Sequence, residues 1–451
     1  MILASQPPII SPWLGIGLVL AILGGLMTGL RVYQRRFSPH PEWVRKCLHI
    51  GMGGVTLSFP WLFSSQWPVI LLAILAVSLL LSVKLIQPFN QQLGSVTHGV
   101  SRESLGEIYF PIAVALIFSL SQGNPILFGI PMLILTLADA LAALIGIRYG
   151  LHPYTTSEGN KSAEGSFAFF TLAFLSTHVP LLLFTPVGRI ETLLISMTLG
   201  LLVMLLEAIA WRGLDNLFIP LGGYMLLKSF LAMDVTALIV QLAATLILVV
   251  FTLSWRKQTT LNDSATLGAA FVGYLSWTLG GWQWLLFPLI LLMGYTLWYP
   301  WKNYYHERCH TIYAVISVAF TGVLWLFLSQ IFHADSFFYP YTLAFAAHLT
   351  IIDVAVPKNW ADLPQRQCIS LAILKGWVLI YLPFLAIQGF STLALTQSAI
   401  ALPAIALMAI AFLWVQSILH PNPNDIPLWM SRAGIVTLGS LLSLIPFYWL
   451  A

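Results

Sequence analysis

Long apolar runs separated by short polar clusters repeat from one end of the chain to the other. The runs are about 20 residues long, which is the length that a helix needs to cross a hydrocarbon core of about 30 Å. Lipid offers no hydrogen-bond partners, so a single segment that crosses it must satisfy its own backbone groups as a helix. The pattern therefore predicts an all-α, polytopic integral membrane protein with roughly 14–16 transmembrane helices.

The composition agrees with a membrane protein. Of the 451 residues, 59% are hydrophobic and 8% are charged, whereas about a quarter of the residues in soluble domains are charged. The first run, Trp13 to Leu30, ends in a basic cluster rather than at a small-residue cleavage site, which favours a retained helix over a signal peptide. The net charge of +4 forms no basic stripe, so we expect no nucleic-acid partner, and no protein partner is identifiable.

Three widely spaced cysteines indicate neither a disulfide framework nor a zinc site.

The densest basic cluster lies between the first two runs, and the positive-inside rule puts such a cluster in the cytoplasm. Alternation from that point places the polar clusters of the first half at the cytoplasmic ends of helices. The cluster consists of Arg31, Arg35, Arg36, Arg45 and Lys46.

The distribution of polar residues divides the chain. We predict a membrane domain over residues 1–253, a cytoplasmic linker over 254–264, and a second helical membrane domain over 265–451 whose role the sequence does not define. In the second domain acids are sparse, and we expect its polar residues to lie in solvated loops. Within the first domain, Leu217 to Leu231 is short and contains Pro220, so it either spans the membrane or re-enters it, which would invert the topology downstream.

The stretch from Leu137 to Ser166 carries the most distinctive chemistry. Asp139 lies in an apolar run, where a carboxylate is costly unless it lines a cavity or pairs with a charge. The polar loop that follows contains Lys161 and leads into another apolar run. The N-terminus of a helix is an anion site, so the loop and the helix that it opens are expected to bind the same ligand.

Small residues surround Asp139 at regular spacing. Ala138, Ala142 and Gly146 recur every four residues, which predicts close approach of a neighbouring helix. Arg45 and His49 are also four residues apart and would share a face of the second helix.

Together these residues suit phosphoryl transfer from a nucleotide. That reaction needs cations around the phosphates, an acid that holds the metal and a positioned acceptor oxygen. Mg²⁺ typically takes one or two carboxylates and completes its shell with phosphate oxygens and water. The candidate carboxylates are Asp139, Glu164, Glu207 and Asp215, and the candidate cations are Arg45, Lys46, Arg102 and Lys161.

Ordinary structural explanations exist for several of these residues. Basic residues also set topology, acids also lie in solvated loops, and a Ser-x-Glu sequence also caps a helix. These explanations apply to Arg45 and Lys46 as topology signals, His49 as a packed histidine, Glu103 and Glu107 as solvated acids, Asp215 with Asn216 as a cap, Asn160 to Ser166 as a capping box, and Asp263 and Asp353 as structural acids.

At these positions the chain resembles the phytol kinase and dolichol kinase group, which is related to the phosphatidate cytidylyltransferases. The resemblance runs from Val44 to Leu226, about half of the chain, and an ordered set of motifs is more specific than any one of them. The motifs are Arg45 to His49 (RKCLH), Leu137 to Ala142 (LADALA) with Gly146 and Gly150, Asn160 to Ser166 (NKSAEGS), and Glu207 followed by Gly213 to Asn216 (GLDN) and Pro220.

The resemblance implies an enzyme that phosphorylates a prenol hydroxyl, with Mg²⁺ as cofactor and CTP as donor, UTP or ATP being alternatives. By similarity, Asp139 and Glu207 would bind the metal and, with Lys161, form the catalytic set. The triphosphate would be bound by Asn160 to Ser166. The nucleotide-binding residues are then Arg45, Lys46, Asn160, Ser162, Glu164, Gly165, Ser166, Asp215 and Asn216, and the further candidates are His49, Arg102, Glu103 and Glu107.

The second half is similar to a different family over Leu261 to Trp298, at the start of an integral-membrane family that includes phytyl-phosphate kinases. That family's later Asp-Thr-x-Ala-Ser-Glu-type segment would correspond here to His348 to Asp353, which departs from the pattern. We therefore assign no second kinase activity to residues 265–451.

We interpret the chain as a membrane kinase for a long-chain isoprenoid alcohol such as phytol, embedded among membrane lipids, with its active site on the cytoplasmic side. Such a product would feed the synthesis of tocopherol and other prenyl lipids. Two alternatives stay open. A cytidylyltransferase acting on a lipid phosphate would use the same CTP–Mg²⁺ site and release pyrophosphate. A secondary transporter would also have many spans and a few intramembrane acids, but its polar residues would lie near the midplane.

Overall fold

The structure, a computed structural model, describes residues 11–85, 105–156, 159–209, 213–255, 261–298, 310–355, 364–419 and 426–444. Helices account for nearly all of these residues, and one short hairpin is the exception within the described part of the chain. The all-α prediction is confirmed.

The chain folds as two compact units, Met1–Leu246 and Ile247–Ala451. The boundary lies inside the helix Val235–Trp255, close to the predicted end of the first domain at residue 253. The elements up to that helix are α1 (Pro12–Phe37), α2 (Pro41–Leu57), α3 (Phe59–Leu62), α4 (Trp67–Leu85), α5 (Gly106–Ser121), α6 (Pro125–Leu133), α7 (Asp139–Tyr149), β1 (Pro153–Thr156), β2 (Gly159–Ser162), α8 (Ala163–Phe184), α9 (Arg189–Ile209), α10 (Asp215–Phe230) and α11 (Val235–Trp255).

The second unit is built from helices over its described residues, apart from short connections and an isolated bridge between Leu261 and His310. Its core is built from aromatic and aliphatic side chains, among them the fully buried Trp325, Tyr341 and Phe345. A 3₁₀ turn, Asp335–Phe337, precedes the helix that begins at Phe338. The helices are α12 (Asp263–Gly280), α13 (Trp282–Trp298), α14 (Ile312–Phe332), α15 (Phe338–Ala355), α16 (Gln365–Gln388), α17 (Thr392–Leu419) and α18 (Ile426–Leu442).

Length and composition qualify many of these helices as membrane spans. Among the described residues, eight helical segments are long and apolar enough to cross a membrane, and five shorter apolar helices accompany them. A multi-pass membrane protein is therefore supported, while the larger count of 14–16 spans stays a prediction.

One of the eight segments is built from three elements. Pro125–Tyr149 consists of α6, a π-helical turn at Ile134–Ala138, and α7, which begins at Asp139. Pro131 lies inside the segment and has no N–H to donate, so the helical hydrogen bonding is already perturbed one turn before the π turn. The segment therefore changes its helical phase immediately before its carboxylate.

The run Leu217 to Leu231, which the sequence interpreted as either a span or a re-entrant segment, forms a continuous helix. It corresponds to α10, which passes through Pro220, Gly222 and Gly223 without a break and is largely buried by protein. The glycines allow close packing, since a Cβ on Gly222 would lie 2.9 Å from Leu206 in α9. Its 16 residues span about 24 Å, somewhat less than a hydrocarbon core of about 30 Å.

Candidate functional site

The carboxylate of Asp139 is held by a lysine from α2. Lys46 Nζ lies 2.7 Å from Asp139 Oδ2 and donates a second bond to the Asp139 backbone oxygen at 3.3 Å. Lys46 is buried and Asp139 is nearly so, with exposed side-chain fractions of 4% and 12%. Removing one partner of a buried lysine–carboxylate pair is strongly destabilising, so Lys46 and Asp139 depend on each other inside the apolar bundle.

Helix α2 runs antiparallel to the segment that carries Asp139. From Lys46 through His49 to Gly53, its contacts move from Asp139 back to Leu135 and Thr136. His49 Nε2 lies 2.9 Å from the Leu135 carbonyl oxygen and 3.6 Å from Asp139 Oδ2. The face of α2 that meets the acid is therefore formed by Lys46, His49 and Gly53. Arg45, which the sequence paired with His49, points elsewhere.

Arg45 is exposed and forms an ion pair with Glu42 in the first turn of α2. Arg45 Nε donates to Glu42 Oε2 at 3.0 Å, and a second nitrogen bonds Oε1, so the contact is bidentate. The charges of Asp139 and Asp215 also act on the guanidinium. Sequence reasoning missed Glu42, although its i, i+3 spacing from Arg45 is a recognisable helical pair.

The polar loop before α8 folds as an antiparallel hairpin. Strands β1 and β2 pair Pro153 with Ser162 and Tyr154 with Lys161. Lys161 reaches from β2 to α9, where its Nζ lies 2.7 Å from Glu207 Oε1 and also contacts the Glu207 carbonyl oxygen. This pair is half-buried, with exposed fractions of 24% and 16%. The hairpin thus fixes a second lysine–carboxylate pair.

Two backbone amides at the N-terminus of α8 already donate hydrogen bonds to other residues of the chain. Ser162 is its N-cap and accepts a bond from the Gly165 amide at 3.1 Å, while the Ala163 amide donates to the His152 carbonyl. Glu164 does not close a capping box. Its carboxylate accepts bonds from the Leu151 and His152 amides and lies 2.6 Å from His152 Nδ1. The capping explanation is correct for Ser162, whereas Glu164 stabilises the loop between α7 and the hairpin through these hydrogen bonds.

Helices α7 and α8 cross through the predicted small-residue face. A Cβ on Gly165 would lie 3.3 Å from both the Ala142 carbonyl oxygen and Gly146 Cα, and a Cβ on Gly146 would lie 3.2 Å from Ser162 Oγ. The two backbones are therefore in contact, as expected for small residues at a membrane helix crossing.

We expect Gly165→Leu to separate α7 from α8. Overpacking of this kind costs about 1–3 kcal/mol, so thermal unfolding in detergent should occur several degrees lower. Gly129→Leu is the matched control, because nothing lies within 4 Å of a Cβ at Gly129 in α6. Equal melting temperatures for the two variants would contradict the close crossing.

The polar elements of the first unit meet at one end. The antiparallel pairing of α2 with α7 puts the start of α2 beside the end of α7, and the hairpin joins that end to the end of α9 through Lys161 and Glu207. Asp139 lies deeper, because the ten residues from Asp139 to Tyr149 rise about 15 Å along α7. We name these two pairs together the column, and we name its hairpin end, with Lys161 and Glu207, the mouth.

The remaining predicted residues lie at or near the starts of their own elements or outside the described residues. Asp215 and Asn216 begin α10, but the N-cap is Leu214, so they are not the cap that the simpler explanation required. Asp215 Oδ1 accepts a bond from the Asn216 amide at 3.0 Å. Ser166 is in the first turn of α8, and Glu107 is half-buried in the first turn of α5. Asn160 lies in β2, and nothing is described of its side chain, while Arg102 and Glu103 lie outside the described residues.

The second unit contains a buried ion pair between two helices, so the expectation that its polar residues lie in solvated loops is wrong for Asp353. Asp353 in α15 is buried, and Lys375 Nζ of α16 lies 3.1 Å from its Oδ1 and 2.9 Å from its Oδ2. Helix α16 approaches closely because a Cβ on Gly376 would overlap Thr350. The structural explanation for Asp353 therefore takes the form of a helix–helix ion pair. The side chain of Asp263 is not described.

Comparison with known proteins gives one informative match. A phytol kinase from Synechocystis sp. is 31% identical over 222 residues, which are 49% of this chain and 92% of that protein. The match is longer than the second unit, so it includes part of the first. No protein-family model and no solved structure matches the chain. The extent of this match, nearly the whole of the relative, places the chain in the phytol kinase family.

Proposed function

We propose that this protein is a membrane kinase that transfers the terminal phosphoryl group of a nucleotide to the hydroxyl of a long-chain isoprenoid alcohol such as phytol. The observation that carries the proposal is the pair of lysine–carboxylate contacts, Lys46–Asp139 and Lys161–Glu207, at one end of a membrane unit. Phosphoryl transfer requires cations around the phosphates and a carboxylate that holds the metal, and it requires little covalent chemistry from the protein. The alcohol acceptor follows from membership of the phytol kinase family.

The nucleotide would bind at the mouth of the column. Lys161 and Arg45 each have a carboxylate partner in the ligand-free protein, and a triphosphate would compete for these cations. Because Ser162 and His152 already engage two amides at the start of α8, the side-chain cations would supply most of the phosphate contacts. We propose CTP as the donor, with UTP and ATP as the alternatives.

The carboxylates fit Mg²⁺. Asp139 and Glu207 offer the hard oxygen ligands that this ion prefers, and each lies beside a lysine ammonium. Within the described residues no group of three or more His, Cys, Asp or Glu could form a protein cage for a metal, and Mg²⁺ typically relies on phosphate oxygens and water for most of its shell. When bound, Mg²⁺ would neutralise charge that develops on the phosphates.

The alcohol would approach from the membrane. Its apolar tail would lie among lipid and helices, while its hydroxyl would meet the column at Asp139 or Glu207, either of which could accept its proton. The depth of Asp139, about 15 Å along α7 from Tyr149, suits an acceptor whose chain remains in the bilayer. We place this end of the unit in the cytoplasm because of the basic cluster around Arg31 to Lys46. The phosphorylated product would feed tocopherol and prenyl-lipid synthesis.

The test is a product assay with purified protein. CTP, UTP and ATP labelled in the γ-phosphate are each supplied with phytol, a longer prenol and a straight-chain alcohol, with and without Mg²⁺. We expect label in a prenyl monophosphate, most rapidly with CTP and only with the metal. Release of pyrophosphate with incorporation of a cytidylyl group into a lipid phosphate would identify a cytidylyltransferase instead. Absence of nucleotide binding would favour a transporter.

We propose further that residues 1–253 form the kinase and that residues 265–451 are dispensable for the chemistry. All predicted site residues lie in the first compact unit. A protein ending at Gln258, which keeps the whole of α11, should phosphorylate the prenol with reduced thermal stability. The complementary piece, Thr259 to Ala451, should phosphorylate neither prenol nor prenyl phosphate. Activity restricted to the full-length protein would show that the second unit builds part of the site.

A further inference from the structure

The π turn at Ile134–Ala138 determines where Asp139 points. A π turn adds one residue to a helical turn, so every side chain after it is rotated by about 100° relative to a continuous α-helix. Such turns are rare and occur often at functional sites. The carboxylate follows the turn directly, so any change in the turn would change its direction.

His49 contacts this turn through a hydrogen bond of defined polarity. The partner of His49 Nε2, at 2.9 Å, is the carbonyl oxygen of Leu135, and a carbonyl can only accept. The imidazole therefore donates its Nε2–H, so this nitrogen carries a proton. Phe110 packs at the edge of the imidazole with ring centroids 5.6 Å apart, which fixes the plane of the ring.

A second contact one turn along α2 brings the backbone itself against the π turn. A Cβ on Gly53 would lie 2.1 Å from Thr136 Oγ1, so only glycine permits this approach. With the bond from Lys46 to Asp139, α2 contacts the turn and its carboxylate at three consecutive positions of one face. The neighbouring Gly54 differs, because nothing lies within 4 Å of a Cβ there.

We propose that His49 is a positioning residue, which fixes the direction of the Asp139 carboxylate by holding the Leu135 carbonyl of the π turn. The inference deepens the proposed function and rests on the placement of Asp139 at the reacting groups. His49 does not act as the general base through Nε2 in this arrangement, because that nitrogen donates rather than accepts. Its contribution is geometric, and a misplacement of about 1 Å at a reacting group can cost about 100-fold in rate.

The test compares His49→Gln with His49→Leu. The glutamine amide can donate to the Leu135 carbonyl, whereas leucine cannot. We expect His49→Leu to lower kcat by about 100-fold with the KM for the nucleotide changed less than about twofold, because Arg45 and Lys161 remain. His49→Gln should keep most of kcat and the pH–rate profile of the wild type. A glutamine variant as inactive as the leucine variant, with the acidic limb of the profile lost, would instead identify His49 as an acid–base group.

A second pair of variants separates positioning from loss of folding. Gly53→Ala pushes α2 away from the π turn without altering His49. It should reproduce the low kcat and the unchanged KM when assayed below its melting temperature, where the protein remains folded. Gly54→Ala is the matched control and should behave as the wild type. Full activity in both single variants, Gly53→Ala and His49→Leu, would overturn the proposal.

A measurement without substrate distinguishes this inference from the proposed function. The ¹⁵N shifts of His49 in histidine-labelled protein report which nitrogen carries the proton. A neutral Nε2–H tautomer supports the inference even if the wild type phosphorylates no alcohol, a result that would reject the proposed function alone. A neutral Nδ1–H tautomer would overturn the inference and leave the proposed function unaffected.

Discussion

Replacing Asp139 by asparagine is expected to abolish most phosphoryl transfer while the protein still inserts and folds. The substitution keeps the size and hydrogen-bonding capacity of the side chain and removes only its charge. Removal of a charged group at the reacting centre lowers kcat by about 100-fold or more. The measurement is the initial rate of prenyl phosphate formation at saturating nucleotide and prenol. Wild-type turnover in this variant would reject Asp139 as a metal ligand.

Two comparisons make the Asp139 result specific. Asp353→Asn removes another buried carboxylate that is paired with a lysine, but in the second unit, and we expect it to leave kcat unchanged. The double variant Lys46→Met with Asp139→Asn removes both members of the buried pair, so the lysine is no longer left without its carboxylate. It should melt at a higher temperature than Asp139→Asn alone and remain inactive. Recovery of activity in the double variant would mean that the acid only neutralises Lys46.

Replacing Lys161 by methionine is expected to weaken nucleotide binding by about 10- to 100-fold, since a charge-assisted hydrogen bond is worth about 1.5–3 kcal/mol. Methionine keeps the aliphatic stem but cannot contact phosphate. The N-cap of α8 is unaffected because Ser162 provides it. Titration of the nucleotide into detergent-solubilised protein measures the loss. Lys228→Met, at an exposed lysine of α10, is the control and should bind normally.

A companion variant distinguishes a phosphate contact from a structural ion pair. Lys161 is bonded to Glu207 in the ligand-free protein, so Lys161→Met also leaves a half-buried carboxylate without its partner. Adding Glu207→Gln removes that unpaired charge. If Lys161 binds phosphate, the double variant should regain stability but not nucleotide affinity. If affinity returns to the wild-type value, the lysine serves only to hold α9 against the hairpin.

The placement of charges was only partly predictable. The sequence identified Asp139 because a carboxylate in an apolar run is costly without a partner, and the structure provides that partner. It selected Arg45 and His49 as a pair from their spacing, whereas Lys46 and His49 are the residues that reach the acid. Helical spacing defines which residues share a face, but not which face the neighbouring helix covers.

Neither the hairpin nor the π turn was predicted from the sequence. Tyr154 to Gly159 was interpreted as a polar loop, and the pairing of the hairpin is supported by contacts outside it, chiefly Glu164 at the Leu151 and His152 amides. The π turn follows Pro131, which has no N–H to donate, and α2 packs against the turn through Gly53. The anchors of the hairpin and the contact with α2 come from other elements, which local propensity does not contain.

The sequence by itself determined the class of the protein and the residues of its candidate site. Its apolar runs have the length of the bilayer core, and lipid permits only helices there within a single segment, so hydropathy alone decides the all-α membrane class. The tertiary structure decided the partner of each charge. Lys46 and Asp139 are 93 residues apart in the chain, and Lys161 and Glu207 are 46 apart. Which lysine meets which carboxylate depends on how the helices pack, because an ion pair forms only where packing brings both groups within a few ångströms.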